Sequence, residues 1–220
     1  MPKLIVMLTQ NDRTAANACE IFERCKDSKA EFWGIKDGGL EPSKMKKLFG
    51  AIQNAGKTAV LEVVSYDEQS GLKAAKIAAN SGCKMLLGTC FYPSILEFCK
   101  QENIKYLPFV GRVSGLPSLL SGSIDEIIKE AQECAKIGVW GIDLLAYRYE
   151  DGDPFLLAQK MLKSLDLPLV IAGSIDSYTS LDEIKKLNPQ FFTIGSGFFE
   201  YKFGDDFASQ IDAVCEYLEN

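Results

Sequence analysis

The chain has 220 residues, of which 47% are hydrophobic and 25% charged, the balance of a water-exposed protein with one sizeable core. Its formal net charge of −6 argues against broad binding to nucleic acid or to an anionic membrane, while leaving room for a local basic pocket. It contains no histidine, which excludes a His-based zinc site and a Ser-His-Asp triad and leaves proton transfer to Asp, Glu, Lys, Tyr or Cys.

In chain order, the first apolar run is Leu4–Leu8. It is too short for a membrane span or a signal-peptide core, and it runs directly into polar residues. A helical stretch follows, with Ala16, Cys19, Ile21, Phe22 and Cys25 on one face. "EFWGIKDGG" reads as a strand closed by glycines, and the helix after it has Pro42 in its first turn and Gly56 near its end. "TAVLEVVS" is a β-branched strand, followed by an amphipathic helix. "KMLLGTCF" is a fourth strand with a helix behind it. "IKYLPFVGRVSG" reads as a fifth strand containing Pro108. Ser123 and Glu126 then form a capping-box pattern at the start of the next helix. "VWGIDLLAYR", "PLVIAGSID" and "FFTIGSGFF" are strands six to eight, each trailed by a helix.

Strict alternation predicts parallel strands, and apolar residues on both parities predict strands covered on both faces. Eight such units with no long linker predict one (β/α)8 TIM barrel over residues 1–220, with an open doubly wound sheet as the alternative. The seven cysteines (Cys19, Cys25, Cys83, Cys90, Cys99, Cys134, Cys215) are odd in number and lack a C-x-x-C. They read as reduced thiols, mostly small core residues, in a cytoplasmic protein.

In such barrels the chemistry sits at the C-terminal ends of the strands, so polar residues late in a strand are the candidates. Glu62 interrupts an apolar run, as a general base, the counter-ion of a lysine, or a structural ion pair. Asp143 poses the same choice from strand six, and two carboxylates with split proton affinities suit proton transfer. Lys36 suits an anion, a partnership with Glu62, or an imine if burial lowers its proton affinity. Arg112 and Arg148 follow strands five and six, where their forked guanidinium groups suit a carboxylate or phosphate. Cys90 lacks an activating base and reads as packing, and Tyr147 has no second feature to support a role as an acid.

Strands seven and eight both end in Gly-Ser: Gly173-Ser174 and Gly195-Ser196. With Gly197 opening a short helix, these ends resemble the phosphate-binding end of the ribulose-phosphate-binding barrels. That group includes ribulose-phosphate epimerases, KDPG-type aldolases and the tryptophan and histidine biosynthesis barrels. The resemblance implies that Gly173, Ser174, Gly195 and Ser196 present backbone amides to a phosphate, helped by a helix N-terminus. Two departures matter. The metal-ligating histidines of the epimerases are absent, and strand six carries no lysine where the aldolases form their imine.

The expected function is therefore that of a metabolic enzyme acting on a small phosphorylated or carboxylated metabolite, as an isomerase or a carbon–carbon lyase. Lys36, Glu62 and Asp143 would be catalytic, and Arg112, Arg148 and the two Gly-Ser ends would bind substrate. The alternative is a barrel that binds a metabolite without turning it over, as a sensor or partner subunit. No cofactor is expected, apart from the option that Glu62, Asp143 and Asp12 hold Mg²⁺ through their oxygens. The expected partner is a small phosphorylated molecule, with no nucleic acid and no membrane. Phe198, Phe199, Tyr201 and Phe203 either cap the core or serve a homo-oligomer.

Overall fold

A computed structural model describes residues 1–219. The chain alternates β1 (Lys3–Met7), α1 (Ala18–Cys25), β2 (Phe32–Lys36), α2 (Pro42–Asn54), β3 (Thr58–Val63), α3 (Glu68–Asn80), β4 (Met85–Gly88), α4 (Pro93–Gln101) and β5 (Lys105–Leu107). It continues with α5 (Ile124–Ile137), β6 (Ile142–Tyr147), α6 (Pro154–Ser164), β7 (Leu169–Gly173), α7 (Tyr178–Leu187), β8 (Phe191–Ile194), α8 (Ser196–Phe199) and α9 (Phe207–Glu219). The sheet order is β6-β7-β8-β1-β2-β3-β4-β5, and every pairing is parallel. The seam between β5 and β6 is closed by Asp143 N donating to Pro108 O (3.0 Å) and Trp140 N donating to Tyr106 O (3.0 Å). The expected TIM barrel is the fold that forms.

Two buried layers follow from strand alternation. Ile5, Met7, Val60, Met85, Leu87, Leu107, Val170 and Phe191 fill the barrel interior. A larger layer, including Val6, Trp33, Leu61 and Leu144, packs the outer faces of the strands against the helices. Helix starts follow local chemistry: Pro42 opens α2, and Ser123 with Glu126 closes a reciprocal capping box on α5. Phe198 and Phe203 are buried near Phe207 of α9, so these rings cap the core. Tyr201 is exposed.

One element departs from the sequence reading. "IKYLPFVGRVSG" is not a single strand. β5 stops at Leu107, because Pro108 has no N–H to extend the ladder and Gly111, at φ +81°, turns the chain. Arg112–Ser114 instead pairs antiparallel with Leu119–Ser121 as a hairpin on the C-terminal rim. A smaller rim hairpin, Thr9–Gln10 with Arg13–Thr14, follows β1.

Candidate functional site

The site is built from the two rim hairpins and the ends of β2 and β3. Between Gln10 and Arg13, Asn11 (φ +50°) and Asp12 (φ +57°) both lie in the left-handed region, the requirement of a two-residue hairpin turn that Asn and Asp tolerate well. This turn presents the Asp12 carboxylate to the barrel mouth. On β2, Lys36 lies in register with Glu62 of β3, which puts both side chains on the same interior face. Thr14 grips the Lys36 backbone from both sides. Its hydroxyl donates to Lys36 O (2.8 Å) and accepts from Lys36 N (2.9 Å).

The result is a buried alternation of charge. Lys36 Nζ lies 2.8 Å from Asp12 Oδ1 and 3.5 Å from Glu62 Oε2. Asp12 Oδ2 accepts from Arg148 Nη1 at 2.5 Å and from the Ser118 amide at 2.9 Å. Lys36, Glu62 and Asp12 are all buried. Burial alone would raise the Asp12 pKa, but the Arg148 and Lys36 cations override it and hold the carboxyl well below the usual range. Burial alone would lower Lys36, but Glu62 and Asp12 together raise it above an ordinary lysine. These contacts favour the Lys36 ammonium over the free amine that imine formation requires. Burial pushes Glu62 up, with Lys36 pulling the other way.

Asp143 lies deeper. It is 1% exposed, and neither of its carboxyl oxygens has a hydrogen-bond partner. Burial, followed by the charge of Glu62, pushes its pKa well above the ordinary carboxylate value.

Above the charged array is a cavity of about 200 Å³, lined by Asp12, Lys36, Glu62 and Arg148 on one side and by Gly173, Ser174, Gly195, Ser196 and Gly197 on the other. The two Gly-Ser ends are thus neighbours facing one space. Their glycines are fixed by close approach. Gly173 has φ +128°, and a Cβ there would lie 2.9 Å from the Tyr147 carbonyl carbon. A Cβ on Gly195 would lie 2.8 Å from Thr9 Oγ1. Gly195 caps α8, whose first-turn amides, at Ser196 and Gly197, have no acceptor within the helix. Helix α8 therefore begins one residue earlier than the sequence suggested. Asp176 and Glu200 also line this end, and no lysine or arginine does, so an anion there relies on backbone amides.

The structure brings Lys36, Glu62, Arg148, Gly173, Ser174, Gly195 and Ser196 to one cavity. It does not bring Arg112, which is exposed on the second hairpin because β5 ends before it. Asp143 stands beneath the cavity wall and not in it. Tyr147 turns to Glu183, donating its hydroxyl to Oε2 at 2.6 Å. The Mg²⁺ option does not fit: the Lys36 ammonium contacts both Asp12 and Glu62, and the Asp12 oxygens are already engaged. Among the described residues no group of three or more Asp, Glu, Cys or His side chains is placed to hold a metal. The sequence did not single out Asp12 as the hub. The signal was there, in an Asn-Asp pair between two short polar β segments.

No family model matches the sequence, and no curated protein does. Solved structures match across the whole chain. Orotidine 5'-phosphate decarboxylase from Pyrococcus horikoshii OT3 superposes with a TM-score of 0.73 at 9% identity, covering 99% of both chains. N-(5'-phosphoribosyl)anthranilate isomerase from Pyrococcus furiosus gives 0.70 at 13%, covering 100% of both. A 4-hydroxy-2-oxoglutarate/2-dehydro-3-deoxyphosphogluconate aldolase gives 0.69 at 14%, covering 98% of this chain and 94% of that one. These are ribulose-phosphate-binding barrels, and the likeness at such identities is one of fold. Among the described residues no helix is long and apolar enough to cross a membrane.

Proposed function

We propose that the protein is an enzyme acting on a small phosphorylated or carboxylated carbonyl compound, by proton transfer beside the carbonyl or by cleavage of the adjacent carbon–carbon bond. The observation that carries this reading is the buried Asp12–Lys36–Glu62 array opening into a cavity whose far wall is the two Gly-Ser strand ends. The fold shared with decarboxylase, isomerase and aldolase barrels agrees with it.

In this reading the substrate's anionic group takes the amides at Ser174, Ser196 and Gly197, with Arg148 at the opposite rim. Its carbonyl oxygen faces Lys36. Glu62 removes a proton from the carbon next to the carbonyl, and the C–H electron pair moves into an enolate whose oxygen is stabilised by the Lys36 ammonium. Where that carbon carries a hydroxyl, its proton passes to the enolate oxygen, and returning the abstracted proton from Glu62 to the former carbonyl carbon leaves the new carbonyl and completes an isomerisation. In the lyase version Glu62 takes the proton of a β-hydroxyl, and that oxygen becomes the carbonyl of the departing fragment. The carbon–carbon pair flows to the same enolate, which the protonated Glu62 then protonates at carbon. Neither path consumes a redox partner, and Lys36 acts throughout as a cation, with no imine formed.

The test is exchange of substrate C–H for deuterium in D₂O, followed by NMR across a panel of small sugar phosphates and 2-oxo acids. Glu62→Gln should slow exchange by roughly 10²-fold or more while the ligand still binds. If ligands bind and neither exchange nor cleavage is seen with the wild type, the chain is a metabolite-binding barrel instead.

A further inference from the structure

The cluster contains two cations, the buried Lys36 and the half-buried Arg148, and three buried carboxyl groups, Asp12, Glu62 and Asp143. With every group in its ordinary state it would hold one uncompensated negative charge, and Asp143, 1% exposed beneath the cavity, is cut off from water, a situation that folded proteins avoid by keeping a proton. Contacts decide where that proton goes. Asp12 accepts from Lys36, Arg148 and the Ser118 amide, so it is ionised. Glu62 lies 3.5 Å from Lys36. Asp143 has no partner on either oxygen. The charges that act on it are those of Glu62 on β3 and Lys36 on β2. The other interior side chains, Met7, Leu87, Leu107, Val170 and Phe191, carry no charge.

We propose that the cluster folds around one proton, held on Asp143 in balance with Glu62, and that Asp143 is the positioning residue that keeps Glu62 ionised as the base of the site. The catalytic consequence rests on the role proposed above for Glu62, whereas the proton itself does not. Asp143 is below the cavity and does not touch substrate. When Glu62 accepts the substrate proton, both carboxyls are neutral, and the Lys36 ammonium is left to the enolate oxygen. Returning the proton restores the Glu62 carboxylate. The direction of the Asp143 shift, upward through burial and the Glu62 charge, agrees with this assignment.

The experiment is urea unfolding of the whole chain under reducing conditions across about pH 5.5 to 7, a window clear of histidine and below the range in which the buried cysteines release protons on unfolding. The folded protein keeps a proton that the unfolded chain releases, so wild-type stability falls as pH rises, with the unfolding equilibrium constant growing about tenfold per pH unit. Asp143→Asn should remove this slope. Glu62→Gln leaves burial, the larger cause, in place, so the slope should persist in that variant, which separates Asp143 from Glu62 as the holder of the proton. A flat wild-type profile, a slope that survives Asp143→Asn, or a slope lost in Glu62→Gln overturns the proposal. Should Asp143→Asn fail to fold, the infrared spectrum of the wild type decides. A protonated-carboxyl stretch that shifts on deuteration is expected within the same pH window, and its absence overturns the assignment. Neither measurement needs turnover, so loss of the enzymatic reading leaves this one separately testable.

Discussion

Asp12 is one carboxylate with three partners on three different elements: Lys36 on β2, Ser118 on the second hairpin and Arg148 after β6. Its folded pKa is depressed, so the stability it supplies is present above the ordinary carboxylate range and is lost as pH falls through the folded value. Asp12→Ala leaves the buried Lys36 and the half-buried Arg148 without their shared partner. At neutral pH it should cost about 3 kcal/mol, or about 6–12 °C in Tm for a chain of this size. Thermal unfolding at neutral and at strongly acid pH should show that gap closing in acid. An equal gap at both extremes would mean that packing, not charge, is what Asp12 provides. Lys36 and Glu62 were legible in the sequence because a charge inside an apolar strand is conspicuous. Asp12 sits in a polar string after β1, and only its three-dimensional partners reveal it. Arg112 misled for the opposite reason: its place after an apparent strand end suggested the rim, but the strand had already stopped.

At the level of elements, the second hairpin covers the β3–β4 side of the mouth. Its attachments are specific. Tyr66 donates its hydroxyl to Ser118 Oγ (2.6 Å) and lies 3.0 Å from Gly115 O, while Tyr92 donates to Tyr66 O (2.8 Å). Ser118 is fully buried although it belongs to a loop. Tyr66→Phe removes the hydroxyl and keeps the ring, so the loss should be local, about 1 kcal/mol. Hydrogen exchange should quicken across residues 112–121 with little change in the outer helices. Protection unchanged in the hairpin would show that the Asp12–Ser118 bond suffices to hold it. None of this latch was visible in the sequence. Alternation of strands and helices gave away the barrel, since that pattern has one economical closed solution. The hairpin was hidden because a strand interrupted at Pro108 reads the same as a strand containing Pro108.

Across the whole molecule, polarity changes along the barrel axis. At the N-terminal end the interior is a ring plug: Phe32 and Phe191 meet edge-on at 5.1 Å, and Trp140 lies 6.1 Å from Phe191. The middle is aliphatic, from Val60 to Leu107. At the C-terminal end the same alternation places Lys36 and Glu62 inward, with Asp143 beneath the cavity. Along β2 and β3, packing lies at the start of the strand and the charged groups toward its end, so stability and chemistry should separate under mutation. Phe191→Ala leaves a cavity in a close-packed interior and should cost about 3–5 kcal/mol in denaturant unfolding. The charged array is reached from the other end of the barrel and depends on contacts among β2, β3 and the two rim hairpins. Below its unfolding transition the variant should therefore bind ligand and turn over as the wild type does. Glu62→Gln should show the reverse, folding nearly intact with chemistry lost. If Phe191→Ala abolishes binding while its far-UV and near-UV spectra stay native, the two ends are mechanically coupled, and the barrel interior is part of the site.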